Sequence, residues 1–227
     1  MKLPFLLLAA LACALLPAAP SRAEDRSAAA TRAGTRALYL QLIRQVRADG
    51  RPRAAIAYLD DFDRQYPNDL DARLLRVDGL LDLGQADQAE AVLATLTRFG
   101  PGAGLSAARG HVLAARGEWA RAVPYYREAA AANPTEPLLR NALGYALLRM
   151  RNIAGAVEQF RAAADIAPGD EVIRNNLALA LTIEGSKAQA DALLAGIGDR
   201  PAQARLRRQI AEEAARIGMA ATGKKGS

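Results

Sequence analysis

From residue 36 to residue 217 apolar positions recur at intervals of three and four, the spacing that lays side chains along one face of an α-helix. Leu143, Gly144 and Leu147 share one side of a stretch that opens at Pro137. After a turn at Met150–Asn152, Ala156, Phe160 and Ala163 share one side of the next. A proline just inside the first stretch suits its opening, because the fixed φ of proline is that of a first helical residue. Helical stretches of about 13 residues follow one another in pairs, each pair joined by a glycine or polar turn.

The pattern repeats. Glycine marks the turn at Gly50, Gly84, Gly117 and Gly185, with Arg151 standing where the fourth of five would fall. A small residue follows at Ala55, Ala89, Ala122, Ala156 and Ala190, in steps of 34, 33, 34 and 34. Pro67, Pro101, Pro134 and Pro168 close the units, in steps of 34, 33 and 34. Three residue types keeping one period define five units, 36–69, 70–102, 103–136, 137–170 and 171–204, each too small to bury a face alone. Gly110 and Gly144 sit mid-helix, where glycine costs about 1 kcal/mol relative to alanine. Close approach of the paired helix explains them, with Ala122 and Ala156 as the expected facing residues and Leu143, Phe160 and Ala190 as further packing positions. Pro124, inside the second helix of the third unit, is expected to kink it. Pro201 opens a last helix whose stripe Leu206, Ile210, Ala214 and Ile217 reads as a lid over 205–218, the kind a solenoid end requires. Residues 24–35 read as a flexible lead and 219–227 as a disordered tail.

The motifs Leu143-Gly144-x-x-Leu147, Ala156-x-x-x-Phe160, Pro168 and Arg109-Gly110-x-x-Leu113, Ala122-x-x-x-Tyr126, Pro134 resemble the tetratricopeptide repeat (TPR). Arg140 and Arg174 depart from it, standing where the family often has tryptophan. The resemblance implies an all-α, right-handed α-solenoid of about five helix-turn-helix repeats, with the first helix of each pair lining the inner wall. The candidate partner groove on that wall comprises Asn141, Tyr145 and Leu148 of the fourth unit and Asn175 and Leu179 of the fifth. His111, Asp78 and Arg44 are the matching positions of the third, second and first units. Asn141 and Asn175 can each donate to and accept from a peptide backbone, and Tyr145 adds apolar area with a polar tip.

Composition agrees with helix: alanine and leucine dominate, and aromatic residues are 5% of 227. The N-terminus adds a compartment. Lys2, an apolar run from Phe5 to Leu16 and the small residues before Glu24 read as a secretory signal over 1–23. Pro17 and Pro20 end the run short of a membrane span. Cys13 is the only cysteine; it either leaves with the signal or is the lipidated residue of a lipoprotein. The expected location is therefore the periplasm, with an outer-membrane lipoprotein as the alternative and lipid as the only route to a membrane. The formal net charge is +6, and removing Lys2 and Arg22 leaves 28 basic against 24 acidic residues, or +4. These arginines are scattered rather than gathered into a stripe with stacking aromatics, which argues against nucleic acid.

Candidate chemistry is sparse. His111 is the only histidine, so neither a zinc cage nor a hydrolytic triad can be assembled from the usual parts. Asp60-Asp61-Phe62-Asp63 lacks the glycine and final glutamate of a calcium loop, and Gly102-Ala103-Gly104 lacks the Lys-Ser/Thr of a phosphate loop. No enzyme activity, cofactor or metal is expected; protein partners are. The lysines of the cochaperone carboxylate clamp are missing too. With the signal, the short array and the repeats Arg140-Asn-Ala-Leu-Gly-Tyr-Ala-Leu and Arg174-Asn-Asn-Leu-Ala-Leu-Ala-Leu, the chain is similar to the TPR lipoproteins of tight-adherence (Tad/Flp) pilus assembly. That similarity implies a scaffold for a secretin or other envelope components. Type IV pilotins are the next resemblance, and an adaptor for cell-wall or polysaccharide enzymes is the alternative role.

Overall fold

The turns inside the pairs close in one way. Gly50, Gly84, Gly117 and Gly185 all take positive φ, between 72° and 94°, and the residue after each of them donates back across the turn. Gln85 N–H reaches Leu80 O, Glu118 N–H reaches Leu113 O and Ser186 N–H reaches Leu181 O, each at 2.9 Å, and Arg51 N–H reaches Val46 O at 3.2 Å. This satisfies carbonyls that the end of a helix leaves without a partner. Arg151, where the period asks for glycine, adopts φ 64° and makes the same closure, Asn152 N–H to Leu147 O at 2.9 Å.

The computed structural model describes residues 22–219, which contain helices and no strand. The first helices of the five pairs are α1 (Arg22–Ala48), α3 (Leu70–Asp82), α5 (Ala103–Ala115), α7 (Pro137–Arg149) and α9 (Glu171–Glu184). The second helices are α2 (Pro52–Gln65), α4 (Ala86–Ala94), α6 (Trp119–Ala132), α8 (Ile153–Ile166) and α10 (Lys187–Ala195), and α11 (Arg200–Met219) closes the stack. Polar side chains start several of them. Asp69 Oδ1 accepts from Ala72 N–H at 3.0 Å, Asn152 from Gly155 N–H at 3.0 Å, and Asp170 from Val172 and Ile173 N–H at 2.8 and 3.0 Å. Pro52 and Pro137 stand at the first turns of α2 and α7.

Each unit buries its stripe against the next, so the core runs along the stack as three clusters. One joins α1, α2 and the start of α3 through Leu40, Ile43, Leu59 and Phe62. A second joins α3, α4 and α5 through Val77, Leu96, Leu105 and Val112. The third spans α6 to α11 through Tyr126, Leu143, Phe160, Leu177 and Ile210. Along the stack α1 packs on α3, α3 on α5 and α7 on α9, whereas no second helix packs comparably on the next second helix. At three of the four joints, all but α5 with α7, the first helices therefore form the tighter, inner side of the curve, the side the family resemblance implies for them.

Five expectations are corrected. The lead over 24–35 is helical, the N-terminal half of α1; its alanines favour helix, and Arg32 anchors it by donating to Gln65 O at 3.2 Å. The fifth unit ends before 204, because α11 begins at Arg200 once Gly196 and Gly198 have ended α10. The lid is accordingly 200–219 and not 205–218. α4 and α10 are nine residues each, shorter than the other helices, and α4 passes into a 3₁₀ turn over Thr95–Phe99. The glycines face rings instead of alanines: a Cβ on Gly144 would stand 2.8 Å from Phe160 Cε1, and one on Gly110 2.6 Å from Tyr126 Cε1. Ala122 and Ala156 are buried one turn before those rings, and Ala190 is buried in the fifth unit. α6 runs from Trp119 to Ala132 with Pro124 inside it. Cys13, all but the last two residues of the expected signal and almost all of the tail lie outside the described residues; residues 22 and 23 begin α1.

Candidate binding surface

The inner wall divides into two halves of different chemistry. In the N-terminal half the charged side chains of successive first helices pair with one another. Arg47 on α1 holds Asp82 of α3 at 2.5 Å and Asp78 at 3.4 Å, and Asp78 Oδ1 lies 3.1 Å from His111 Nδ1 on α5. Below His111 the Tyr126 ring packs at 5.5 Å between centroids. Burial, and then the Asp78 charge, push the Tyr126 hydroxyl up from its ordinary pKa, so it stays neutral. At the end of the same half, Arg36 grips Asp69 through Nε at 2.5 Å and Nη2 at 2.9 Å, and reaches Asp71 at 2.6 Å. Burial would raise the Asp69 carboxyl, but the Arg36 and Ala72 hydrogen bonds outweigh it and hold its pKa below the usual carboxylate value. Arg44 is exposed and lines a shallow cleft with Arg47, Gly50, Pro52 and Asp82.

The C-terminal half carries no such ladder. Leu138 and Val172, equivalent positions of α7 and α9, are 54% and 59% exposed. Asn141 and Asn175 lie between them and the turns, both half-buried. Asn141 Oδ1 accepts from Asn176 Nδ2 at 2.9 Å, while the buried Asn175 Oδ1 has no hydrogen-bond partner among the described residues. Tyr145 stands next along α7, its ring edge-on to Trp119 at 5.8 Å. The Arg149 guanidinium lies over Trp119 at 4.6 Å from the ring centroid and donates to the Tyr145 hydroxyl at 3.4 Å. Aromatic faces with an arginine and the exposed Met150 are the residue types that protein interfaces favour.

Placed against the sequence reading, His111 and Asp78 meet, and Asn141, Tyr145 and Asn175 share one wall. Leu148 and Leu179 do not line it: they are 0% and 6% exposed and belong to the core. A helix on the inner side still buries the edge of its stripe against its neighbours, and both leucines fall on that edge. The expected alignment of Asn141 with Asn175 is displaced, since Asn141 pairs with Asn176. Trp119, Arg149, Asp82 and Asn176 were missed. Trp119 and Arg149 are 30 positions apart on different units, and only the stacking of α6 on α7 joins them. The Asp60–Asp63 cluster is structural: Arg76 on α3 bridges Asp60 at 2.7 Å and Asp63 at 3.0 Å. Among the described residues no group of three metal-binding side chains gathers, and no helix is long and apolar enough to cross a membrane.

Two tetratricopeptide repeat models match the chain, one over residues 46–110 and one over 107–171, so the chain belongs to the tetratricopeptide repeat proteins, whose arrays bind protein partners. A thermophilic TPR protein of Thermus thermophilus is 22% identical, with a TM-score of 0.65 over 78% of this chain and 97% of that one. The Pseudomonas aeruginosa pilF structure is 20% identical, with a TM-score of 0.60 over 87% of this chain and 95% of that one. YrrB, described as a TPR protein with an unusual peptide-binding site, is 17% identical, with a TM-score of 0.52 over 75% of this chain and 90% of that one. At these identities the likeness is one of fold. No curated protein matches the chain.

Proposed function

We propose that this chain is an exported bacterial scaffold whose inner wall, between Leu138 and Val172, holds a polypeptide segment of an envelope-assembly partner. The observation that carries the groove is the exposure of Leu138 and Val172, 54% and 59%, at equivalent positions of neighbouring first helices, with the half-buried amide of Asn175 beside them. Leu138 and Val172 offer apolar contact on either side of that point, and Arg149, stacked on Trp119, offers a cation at the turn. The ion-paired N-terminal half has spent its charges internally and serves to hold the curve. The peptide-binding site named for YrrB, on the same fold, is consistent with such use.

Export rests on the signal-like N-terminus and places the protein in the periplasm, with Cys13 as the anchor if it is lipidated. The pilus-assembly role rests on the similarity of the fourth and fifth repeats to Tad/Flp lipoproteins, and its partner class is a secretin or an associated envelope component. Affinity capture from cross-linked envelopes tests both parts. The native chain is expected to retain a partner that Asn141→Ala, Tyr145→Ala and Asn175→Ala together release, with far-ultraviolet circular dichroism unchanged. Retained capture by the triple variant removes the groove. Capture of a cell-wall hydrolase or synthase in place of a secretin leaves the groove and removes the pilus role.

A further inference from the structure

The two ends of the solenoid are finished differently. At the C-terminal end α11 lays Ile210 and Ile217, each 8% exposed, into the core of the last units. Arg151 secures it by donating from Nη1 to Ile217 O at 2.9 Å. At the other end Leu38 is 69% and Leu42 47% exposed on α1. Most of their apolar equivalents in later units are covered. Ala72, Leu105 and Ile173, in register with Leu38, are 1%, 4% and 0% exposed, with Leu139 half-buried; Leu143 and Leu177, in register with Leu42, are 4% and 5%, while Arg76 and Arg109 hold that position in the second and third units. Those residues pack at the joint with the preceding helix pair, and α1 has no preceding pair among the described residues. The first helix therefore presents a surface built to be covered by helix.

α1 is also 27 residues long, against 13 or 14 for the other first helices, and carries the stripe further toward its N-terminus. Thr31 and Thr35 continue it, and their hydroxyls turn back onto their own helix. Thr31 Oγ1 donates to Ser27 O at 2.9 Å and Thr35 Oγ1 to Thr31 O at 3.0 Å. That leaves methyl groups as what the stripe offers outward. The order Thr31, Thr35, Leu38, Leu42 steps by four, three and four, the 3.5-residue period of a seam between two supercoiled helices, narrower than the face a bundle helix buries.

We propose that this seam is covered by a second copy of the chain, α1 lying antiparallel on α1 about a two-fold axis between Arg36 and Ala37. The stripe is small in its first half and bulky in its second. The two-fold sets Leu42 opposite Thr31 and Leu38 opposite Thr35 of the second copy, large against small on both sides, which is how close-packed layers interdigitate. A parallel pair would stack leucine on leucine and threonine on threonine. A head-to-tail array would need an open C-terminal face, and α11 covers that face, so the pairing closes at two. Two arrays joined at their first units would leave both inner walls free.

Sedimentation of the full chain at tens of micromolar tests this. The native chain is expected at twice its own mass, and Leu38→Glu with Leu42→Glu at half that value with unchanged helicity. Thr31→Lys with Thr35→Lys is likewise expected to be monomeric alone. Mixing the two variants should restore the dimer, since the antiparallel register sets each glutamate against a lysine. A native chain that is monomeric overturns the proposal, as does a dimer that survives the glutamates. So does a mixture that fails to re-pair, because the parallel register offers the variants no such contact.

Discussion

Gly144 and Gly84 are both fixed as glycine, by forces that substitution separates. At Gly144 the helical backbone tolerates any residue and the space does not: the Phe160 ring, fully buried, stands 2.8 Å from the missing Cβ. Alanine gains about 1 kcal/mol of helix propensity and forces the ring off its packing, which costs about 1–3 kcal/mol. At Gly84 nothing lies within 4 Å, and the cost is the positive φ of 72°, about 1 kcal/mol for a residue with a Cβ. Both alanine variants are expected to melt lower, and only the Gly144 variant should regain stability when Phe160 is replaced by leucine. Equal rescue of both in a double-mutant melt would refute the distinction. The mid-helix glycines were legible in the sequence as a demand for closeness. What they were close to was not, because residue spacing identifies a shared face but not the direction a ring takes across it.

Among the elements, α1 shows most plainly where sequence reasoning stopped. Residues 24–35 lack an apolar stripe facing the array, so local pattern gave no reason for a fixed helix. Its order comes from partners about one repeat away, the Arg32 bond to Gln65 O and the Arg36 grip on Asp69 and Asp71. Asp69 also starts α3, so one carboxylate fixes two elements. Its pKa is depressed in the fold, and the sign follows: this stability is full above the unfolded value near 3.8 and is lost as pH falls through the lower folded value. Arg36→Ala is expected to cost about 1–2 kcal/mol at pH 7, a value kept small by the partial exposure of the arginine. It should also flatten the fall in stability as pH drops below the unfolded value. Denaturant melts across that range check it, and an undiminished acid-side slope in the variant would assign the slope to other carboxylates.

For the molecule as a whole, period and residue type were enough to derive the solenoid and the order of its units, because the same turn, small residue and proline recur in each. The division of the inner wall was not legible. Arg47, Asp78, Asp82 and His111 join three units into one ladder, and the Asn141–Asn176 pair runs one position off the 34-residue step. Both depend on how far each unit turns against the last. The consequence is an inner wall with a closed, self-paired half and an open half that ends at Trp119 and Arg149. Photo-crosslinking from single positions in living cells tests that division most directly. A crosslinker at Val172 or Leu138 should give a discrete polypeptide adduct, and one at exposed Glu158 of α8 should not. Adducts of equal yield from Glu158, or none from Val172 and Leu138, would contradict the account of where this array holds its partner.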